Sequence, residues 1–522
     1  MKNNGTNIQR LHKLLSKRIS GKAIMAYTRT FWEGCRYSSS DKYEKVHAWC
    51  KRELQEKGLA NPELLSFPAD GKTSFGGICL PKNWTAISGT LQVTSPSKET
   101  IADYKKVPNN LILYSAPTSP EGFTGELVSI EEENKKGKVV FGSFIGTDVD
   151  VIQLEKEGAV GFVTDKISKA TGGNEAQKNK NAVNWHNFTI NPFYNKKIWG
   201  FAITPSQGEK IRNILSRREK VFVHAIINTK IETGKIHMPT AVIKGKTNRE
   251  ILVDAHSFEQ GANDNALSSA ILLEVFNSLN KLIKEKKLPV PDKTIRFLLS
   301  FETRGMQAYI YKYPDRIKNT VSAITLDSIG EKGKYIFPLC ATPGSGPRFA
   351  EELFIKVLKT LKKPYEIIPY CINDNPADDP LVNCPMLALV RGSAYSWHTT
   401  LDTMSTISQK TAQEIAGVIG TYIYTAANAK EMFPLKKFKG YIGFDNLNDK
   451  QFKDYQNIFG FSPWWISPEW LNLALFYSNG KRTLKEIHQL VENEMKSNIK
   501  YEKLVEIFNF LTKSGYIALE IK

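Results

Sequence analysis

At 522 residues, with 41% hydrophobic and 11% aromatic side chains, the chain can hold two to four domains with full cores, which excludes gross disorder. No apolar run approaches the roughly 18–20 residues of a membrane helix. The formal charge of +18 comes from lysines spread along the whole chain, so it affects solubility and encounter with acidic peptides more than it suggests a nucleic-acid partner. The six cysteines (Cys35, Cys50, Cys79, Cys340, Cys371 and Cys384) have no paired spacing, and the N-terminus leads into no apolar signal core. The expectation is a reduced, cytoplasmic protein.

Residues 1 to about 60 carry helical spacing of apolar side chains, over Ile8–Leu15 and Lys42–Gly58. Strand-like runs follow at Glu63–Phe67 and Thr90–Val93, and residues 1–105 are taken as the N-terminal part of a larger enzyme region. Over 106–235 the texture turns to strands and turns: Leu127–Ile130, Gly137–Phe141, Gly158–Val163 and Val221–Ile227. This segment is expected to be a compact β-rich module. From 236 to 435 strands alternate with helices. Strands are read at Ile251–Val253, Thr294–Ser300, Ala323–Leu326 and Pro385–Val390, and helices at Ala266–Asn280, near Gln307, at Pro347–Leu361 and at Ser408–Ala427. Such alternation predicts an α/β fold with a mixed, mainly parallel sheet between helices. Residues 436–522 open on the aromatic run Phe461–Ile466 and close on two amphipathic helices and Gly515-Tyr-Ile, which suggests a small winged-helix module.

Eight histidines are present. His12, His47, His186, His224, His237 and His488 are read as structural or surface residues. His256 and Asp264 differ, because they bracket the turn Gly261-Ala-Asn between an apolar strand and a helix, and Glu302, Asp327 and His398 each follow an apolar run. Imidazole and carboxylate at strand ends are zinc-ligand chemistry, with one position left for water in a catalytic site. Such a metal lowers the pKa of its water to about 7, and a nearby carboxylate can move the proton to a leaving amine.

Ala255-His256, Gly261-Ala-Asn-Asp264-Asn, Ile295 to Gly305, Leu326-Asp327-Ser-Ile-Gly330 and Trp397-His398-Thr-Thr-Leu-Asp402 resemble the zinc aminopeptidase clan that includes glutamate-carboxypeptidase-like and transferrin-receptor-like proteins. The passage from Asn373 to Arg391 resembles an aminopeptidase-like branch of that clan. The resemblance implies the phosphorylase/hydrolase-like zinc exopeptidase fold, metal-ligand positions at His256, Asp264, Asp327 and His398 with Asp264 bridging, and a general base at Glu302. It also implies that Gly125–Val128, Lys136–Phe141 and Glu157–Val163 belong to a protease-associated domain inserted ahead of the core. Two departures stand out. The usual His-x-Asp is His256-Ser-Phe258, and the usual Glu-Glu is Glu302-Thr303, where a register slip of one would make Glu302 a ligand and remove the base. One zinc on His256, Asp264 and His398 is therefore favoured over two, with Asp327 a fourth ligand or an outer group. Asp402 either orients His398 or caps a loop.

The segment Trp470–Ile487 with Leu504–Leu511 is similar to leader-peptide recognition modules, and peptide, DNA and simple packing or dimerisation remain open as its roles. The function expected is a zinc-dependent aminopeptidase acting on peptides. Alternatives are a protease that trims leaders from ribosomal peptides, and a catalytically silent peptide-binding scaffold.

Overall fold

The computed structural model describes residues 2–76, 78–144, 148–167, 179–185, 197–333, 335–341, 348–368, 375–378, 382, 384–391, 396–430, 469–478, 482–514 and 517. Three helices open the chain: α1 (Lys2–Arg18), α2 (Gly21–Cys35) and α3 (Ser40–Glu56). The sequence reading anticipates α1 and α3 and misses α2. Ile24, Thr28, Phe31 and Cys35 of α2 are nevertheless buried at helical spacing, and Ser20 caps it by accepting from the Ala23 amide.

β1 (Ala60–Ala69), the short pair β2 (Ser74–Phe75) and β3 (Ile78–Cys79), β4 (Asn83–Ser95) and β5 (Glu99–Asp103) follow. Next come β6 (Phe123–Ser129), β7 (Val139–Gly142), α4 (Asp148–Lys156), β8 (Gly161–Thr164), β9 (Trp199–Ala202), α5 (Pro205–Ser216) and β10 (Val221–Glu232). The core region then runs β11 (Gly234–Ile243), β12 (Thr247–His256), α6 (Ala266–Lys284), β13 (Lys293–Ser300), α7 (Glu302–Lys312), α8 (Pro314–Asn319) and β14 (Thr320–Asp327). It continues with β15 (Phe337–Cys340), α9 (Phe349–Leu361), β16 (Tyr365–Ile368), β17 (Met386–Val390) and α10 (Gln409–Ala427).

The described strands make two large sheets. One has eight strands in the order β1-β11-β13-β12-β14-β17-β15-β16, and the four central strands β13-β12-β14-β17 are mutually parallel. Antiparallel β1 and β11 flank them on one side, and β15, antiparallel to β17, on the other. Helices α1, α2, α6, α9 and α10 contribute to the apolar cluster on one face, and α7 and α8 to that on the other, giving the α/β sandwich expected from the alternation. α6 passes a membrane helix's tests of length and composition. Every residue from Ala266 to Asn280 is buried inside the protein, so its apolar character belongs to the core rather than to a lipid face.

The second sheet has seven strands, β5-β4-β10-β6-β7-β8-β9, with β6 to β9 parallel. It takes in β4 and β5, which lie ahead of residue 106 where the β-rich module was expected to start. β10 pairs along β4 from Phe222 to Glu232 and passes through Thr233 straight into β11, so one ribbon ties the two sheets together.

Near the C-terminus α11 (Glu469–Tyr477), α12 (Leu484–Met495) and α13 (Tyr501–Lys513) share a separate apolar cluster that includes Leu471, Ile487, Leu504 and Ile507. A Thr483–Glu486 capping box starts α12. The aromatic run Phe461–Ile466, the residues after Ser514 except Ile517, His186, and Asn373 with its neighbours lie outside the described residues.

Candidate metal centre

Parallel strands bring their carboxyl ends to one edge of the sheet, and the candidate residues gather there. His256 ends β12 opposite Ser300 of β13, Glu302 follows β13, Asp327 ends β14 beside β12, and His398 lies in the loop after β17. Glu302, Ser328 and His398 hold left-handed backbone angles, with φ of 47°, 54° and 54°. Non-glycine residues adopt that region only when their surroundings hold them, and such residues concentrate at functional sites.

The loop between β12 and α6 is held at several points. The Asp402 carboxylate accepts the backbone N–H groups of Asn263 at 2.8 Å and Asp264 at 2.9 Å. Asp402 therefore clamps the Asp264 turn rather than orienting His398. Gly261 allows this approach, since a Cβ there would stand 2.1 Å from Asp402 Oδ2. The Asn265 amide donates to the Leu326 carbonyl at 2.9 Å and sits 3.1 Å from His256 Nδ1, which leaves Nε2 facing the carboxylates. A neutral amide thus stands beside the first histidine where the resembling family has a carboxylate. Phe258 turns instead into an aromatic cluster with Phe301, Tyr43 and Trp185.

Glu259, which the sequence reading did not single out, stands between the histidines. Its oxygens lie 3.2 Å from His256 Nε2 and 3.0 Å from His398 Nε2. Asp264 meets the same nitrogens at 3.7 Å and 3.4 Å, each through a different oxygen. Three sets of ligand atoms lie within 4.8 Å of one another: His256, Asp264 and Asp327; Glu259, Asp264 and His398; and His256, Glu259 and Glu302. All five expected residues therefore converge, but His256 and His398 fall in different triads that share Asp264. The only advance sign of Glu259 was its place three residues after His256, a spacing shared with many loop carboxylates.

Both oxygens of Asp264 are buried without a hydrogen bond, and so are both ends of the Gln260 amide beside it. Burial and the charge of Asp264 push the Glu259 carboxyl well above the usual carboxylate range. Burial alone would raise Asp264 too, but His256 and His398 beside it hold it well below that range. Burial also pushes Asp402 up to about 7, against the pull of its two amide donors. Buried carboxylates and imidazoles with unsatisfied oxygens fit a zinc-class ion.

The β-rich region closes one side. Trp185 lies edge-on to the His398 ring at 4.8 Å, and its backbone N–H donates to the His398 carbonyl at 2.7 Å. Asn109 and Trp185 line a small cleft with Glu259, Gln260, Asp264 and His398. Of the histidines read as structural, His47 is buried behind the site against Ser257, His237 pairs with Glu44, and His224 meets Thr124.

Residues 240–423 match the model of Peptidase family M28. A candidate polysaccharide biosynthesis protein with an aminopeptidase-like domain, from Clostridium acetobutylicum, is 22% identical over 242 residues, 45% of this chain and 52% of the relative. The match thus spans about half the length of that curated protein. Among solved structures, a candidate peptidase from Clostridium acetobutylicum superposes with a TM-score of 0.58 at 17% identity, covering 99% of this chain and all of its own (100%). The zinc aminopeptidase of Bacillus subtilis gives a TM-score of 0.57 at 15% identity, covering 82% of this chain and 98% of its own. At these identities the structural likeness speaks for the fold, and the family model speaks for the segment that carries the site. The likeness to Peptidase family M28 is carried by residues 240–423, the segment that holds the candidate metal centre.

Proposed function

We propose that the protein is a zinc-dependent aminopeptidase-like hydrolase that removes N-terminal residues from peptides. The observation that carries this reading is the convergence of His256, Asp264, Asp327 and His398 on one strand edge, with Glu302 beside them. The family match and the zinc aminopeptidase among the similar folds support it. One zinc is the least the reaction needs; bound here, it would polarise the scissile carbonyl and make a water acidic enough to ionise near neutral pH. Glu302 would accept a proton from the attacking water and pass it to the leaving amine. Asp402 keeps Asp264 in place by holding its amide, and Asn265 keeps the His256 ring turned toward the cleft. Trp185 and Asn109 wall the cleft, which suits a short N-terminal residue whose amine is met by the acidic groups. Within this reading residues 106–235 are a protease-associated-type insert and residues 436–522 a winged-helix-like module available to grip a longer peptide.

One observation favours a second reading, a silent scaffold: Glu259 reaches both histidines, as an internal counter-ion in place of a metal would. Hydrolysis of unblocked amino-acid anilides, with N-acetylated controls and chelator, separates the two. Glu302→Gln is expected to retain metal and lose about 10²–10⁴-fold in kcat. Unchanged turnover in that variant removes Glu302 from the mechanism, and chelator-insensitive turnover removes the metal.

A further inference from the structure

We propose that Gln260 and Trp185 form a subsite for the uncharged main chain of the peptide, reading the N–H and C=O of one extended residue. The inference rests on the peptide-hydrolase reading above and adds which groups of the substrate the cleft recognises and which side chains recognise them.

Gln260 and Trp185 line the same cleft as Glu259, Asp264 and His398, and they are 8% and 5% exposed. Both polar atoms of the Gln260 amide and the indole Nε1 of Trp185 are buried without a hydrogen-bond partner among the described residues. Folded proteins leave few buried polar atoms in that state. A metal ion accounts for the bare oxygens of Asp264 but not for these atoms, because two of the three are N–H donors and a cation accepts no hydrogen bond. They call for a ligand that presents an acceptor and a donor side by side. In an extended chain the N–H and C=O of one residue point to the same side, as they do when two antiparallel strands pair. A glutamine amide matches that pattern, with Oε1 accepting the N–H and Nε2 donating to the C=O. The second lone pair of that carbonyl is free for the indole N–H.

Charge and rigidity argue the same way. Neither side chain is charged, and the ionisable groups lining this cleft, Glu259, Asp264 and His398, already face one another. The polar wall therefore suits a neutral amide, and an acidic side chain placed against it would meet two carboxyl groups. Gln260 lies on the loop that Asp402 clamps: its carboxylate takes the Asn263 and Asp264 N–H groups, and its carbonyl takes the Ala262 N–H at 3.3 Å. Trp185 is fixed by its backbone bond to His398, and the Thr400 N–H reaches the neighbouring Val183 carbonyl at 2.9 Å. Its ring packs edge-on to Phe258, with centroids 6.4 Å apart. Polar groups held this firmly lose little freedom when a ligand docks.

The test measures binding apart from turnover. Full-length, zinc-loaded protein carrying Glu302→Gln to suppress hydrolysis is titrated calorimetrically with tri-alanine, and with analogues in which an ester oxygen replaces one or the other amide N–H. Adding Gln260→Met, which keeps the side chain's length and removes both polar ends, should weaken tri-alanine binding about 10-fold. One ester analogue should bind the parent about 5-fold more weakly than tri-alanine does, and the Gln260→Met protein should not distinguish the two. Without peptide, Gln260→Met should melt no lower than its parent, since it removes an unpaired buried amide, whereas a structural role for Gln260 requires a lower melting temperature. Trp185→Phe, which keeps an aromatic ring and removes the indole N–H, should weaken tri-alanine binding about 5-fold. Binding within about twofold of the parent in Gln260→Met, or an equal ester penalty in both proteins, overturns the subsite. An unchanged affinity in Trp185→Phe removes the indole from it. Should Gln260→Met fail to fold, the ester scan of the parent decides alone: no penalty at either position overturns the main-chain reading. A parent that binds no tri-alanine also overturns the subsite, and the anilide assay on the wild type then decides separately whether the hydrolase reading stands.

Discussion

Asp402 acts on Asp264 from 138 residues further along the chain, by accepting its backbone N–H. An asparagine there offers one acceptor and turns a donor toward the other N–H, leaving a buried amide unpaired. Asp402→Asn should therefore cost about 1–3 kcal/mol of stability and weaken metal binding about 10–100-fold, read by chelator competition. Wild-type affinity in this variant would mean that the turn holds its shape without the clamp. Gly261 is tied to the same contact, because any side chain there displaces the Asp402 carboxylate. Phe258 shows the converse at residue scale. Where the resembling family has a carboxylate, this chain has a ring packed on Phe301 with centroids 4.3 Å apart, and the task of orienting His256 falls to Asn265.

The elements carrying the ligands are braced behind the site. Glu250 on β12 and Arg296 on β13 form a buried two-point pair, Nε to Oε1 at 2.8 Å and Nη2 to Oε2 at 2.9 Å. Removing one partner leaves the other's charge unpaired, so Glu250→Ala should lower stability by about 3–5 kcal/mol in urea unfolding. A loss under about 1 kcal/mol would mean that water reaches Arg296. On α3, burial presses His47 down to about 3, and the ring stays neutral between the His237 carbonyl and the Ser257 hydroxyl. The unfolded chain takes up this proton near pH 6.5 and the folded chain does not, so stability is present above that pH and falls as pH drops through 6.5 toward 3. At pH 5 the contribution amounts to about 2 kcal/mol, from roughly 1.4 kcal/mol per unit. His47→Gln should show a correspondingly shallower loss of urea midpoint between pH 7.5 and 5, and an equal slope would assign the loss to other groups. β11 escaped the sequence reading because Pro239 sits inside it, and proline, lacking an N–H, ordinarily marks a strand edge or break.

For the whole molecule, the cluster formed by α11, α12 and α13 is distinct from the two clusters that pack the large sheets. Deleting residues 440–522 should therefore leave turnover of small anilides within about twofold and the melting of the core nearly unchanged. Equal loss on small and long substrates would show that the module supports the core. A solved structure that covers 99% of this chain at a TM-score of 0.58 shows that the fold is a shared one.

Periodicity alone located α3, α6, β13, β14, α9, β17 and α10 to within a few residues, because apolar spacing is a local property and these elements bury one continuous face. The same locality set His256 and Asp264 on either side of one turn. Glu259 and Asp402 were not legible in these roles: one is an ordinary loop carboxylate and the other a residue near a helix start until the strand order β13-β12-β14-β17 brings four strand ends together. Trp185 is a further case, since it enters the cleft from the second sheet. The sequence by itself determined most elements of the core, the α/β class and the chemical character of the site. Only the tertiary structure decided which carboxylate faces which imidazole, because the pairs that His398 makes with Glu259 and Asp264 join segments more than a hundred residues apart, which no local spacing encodes.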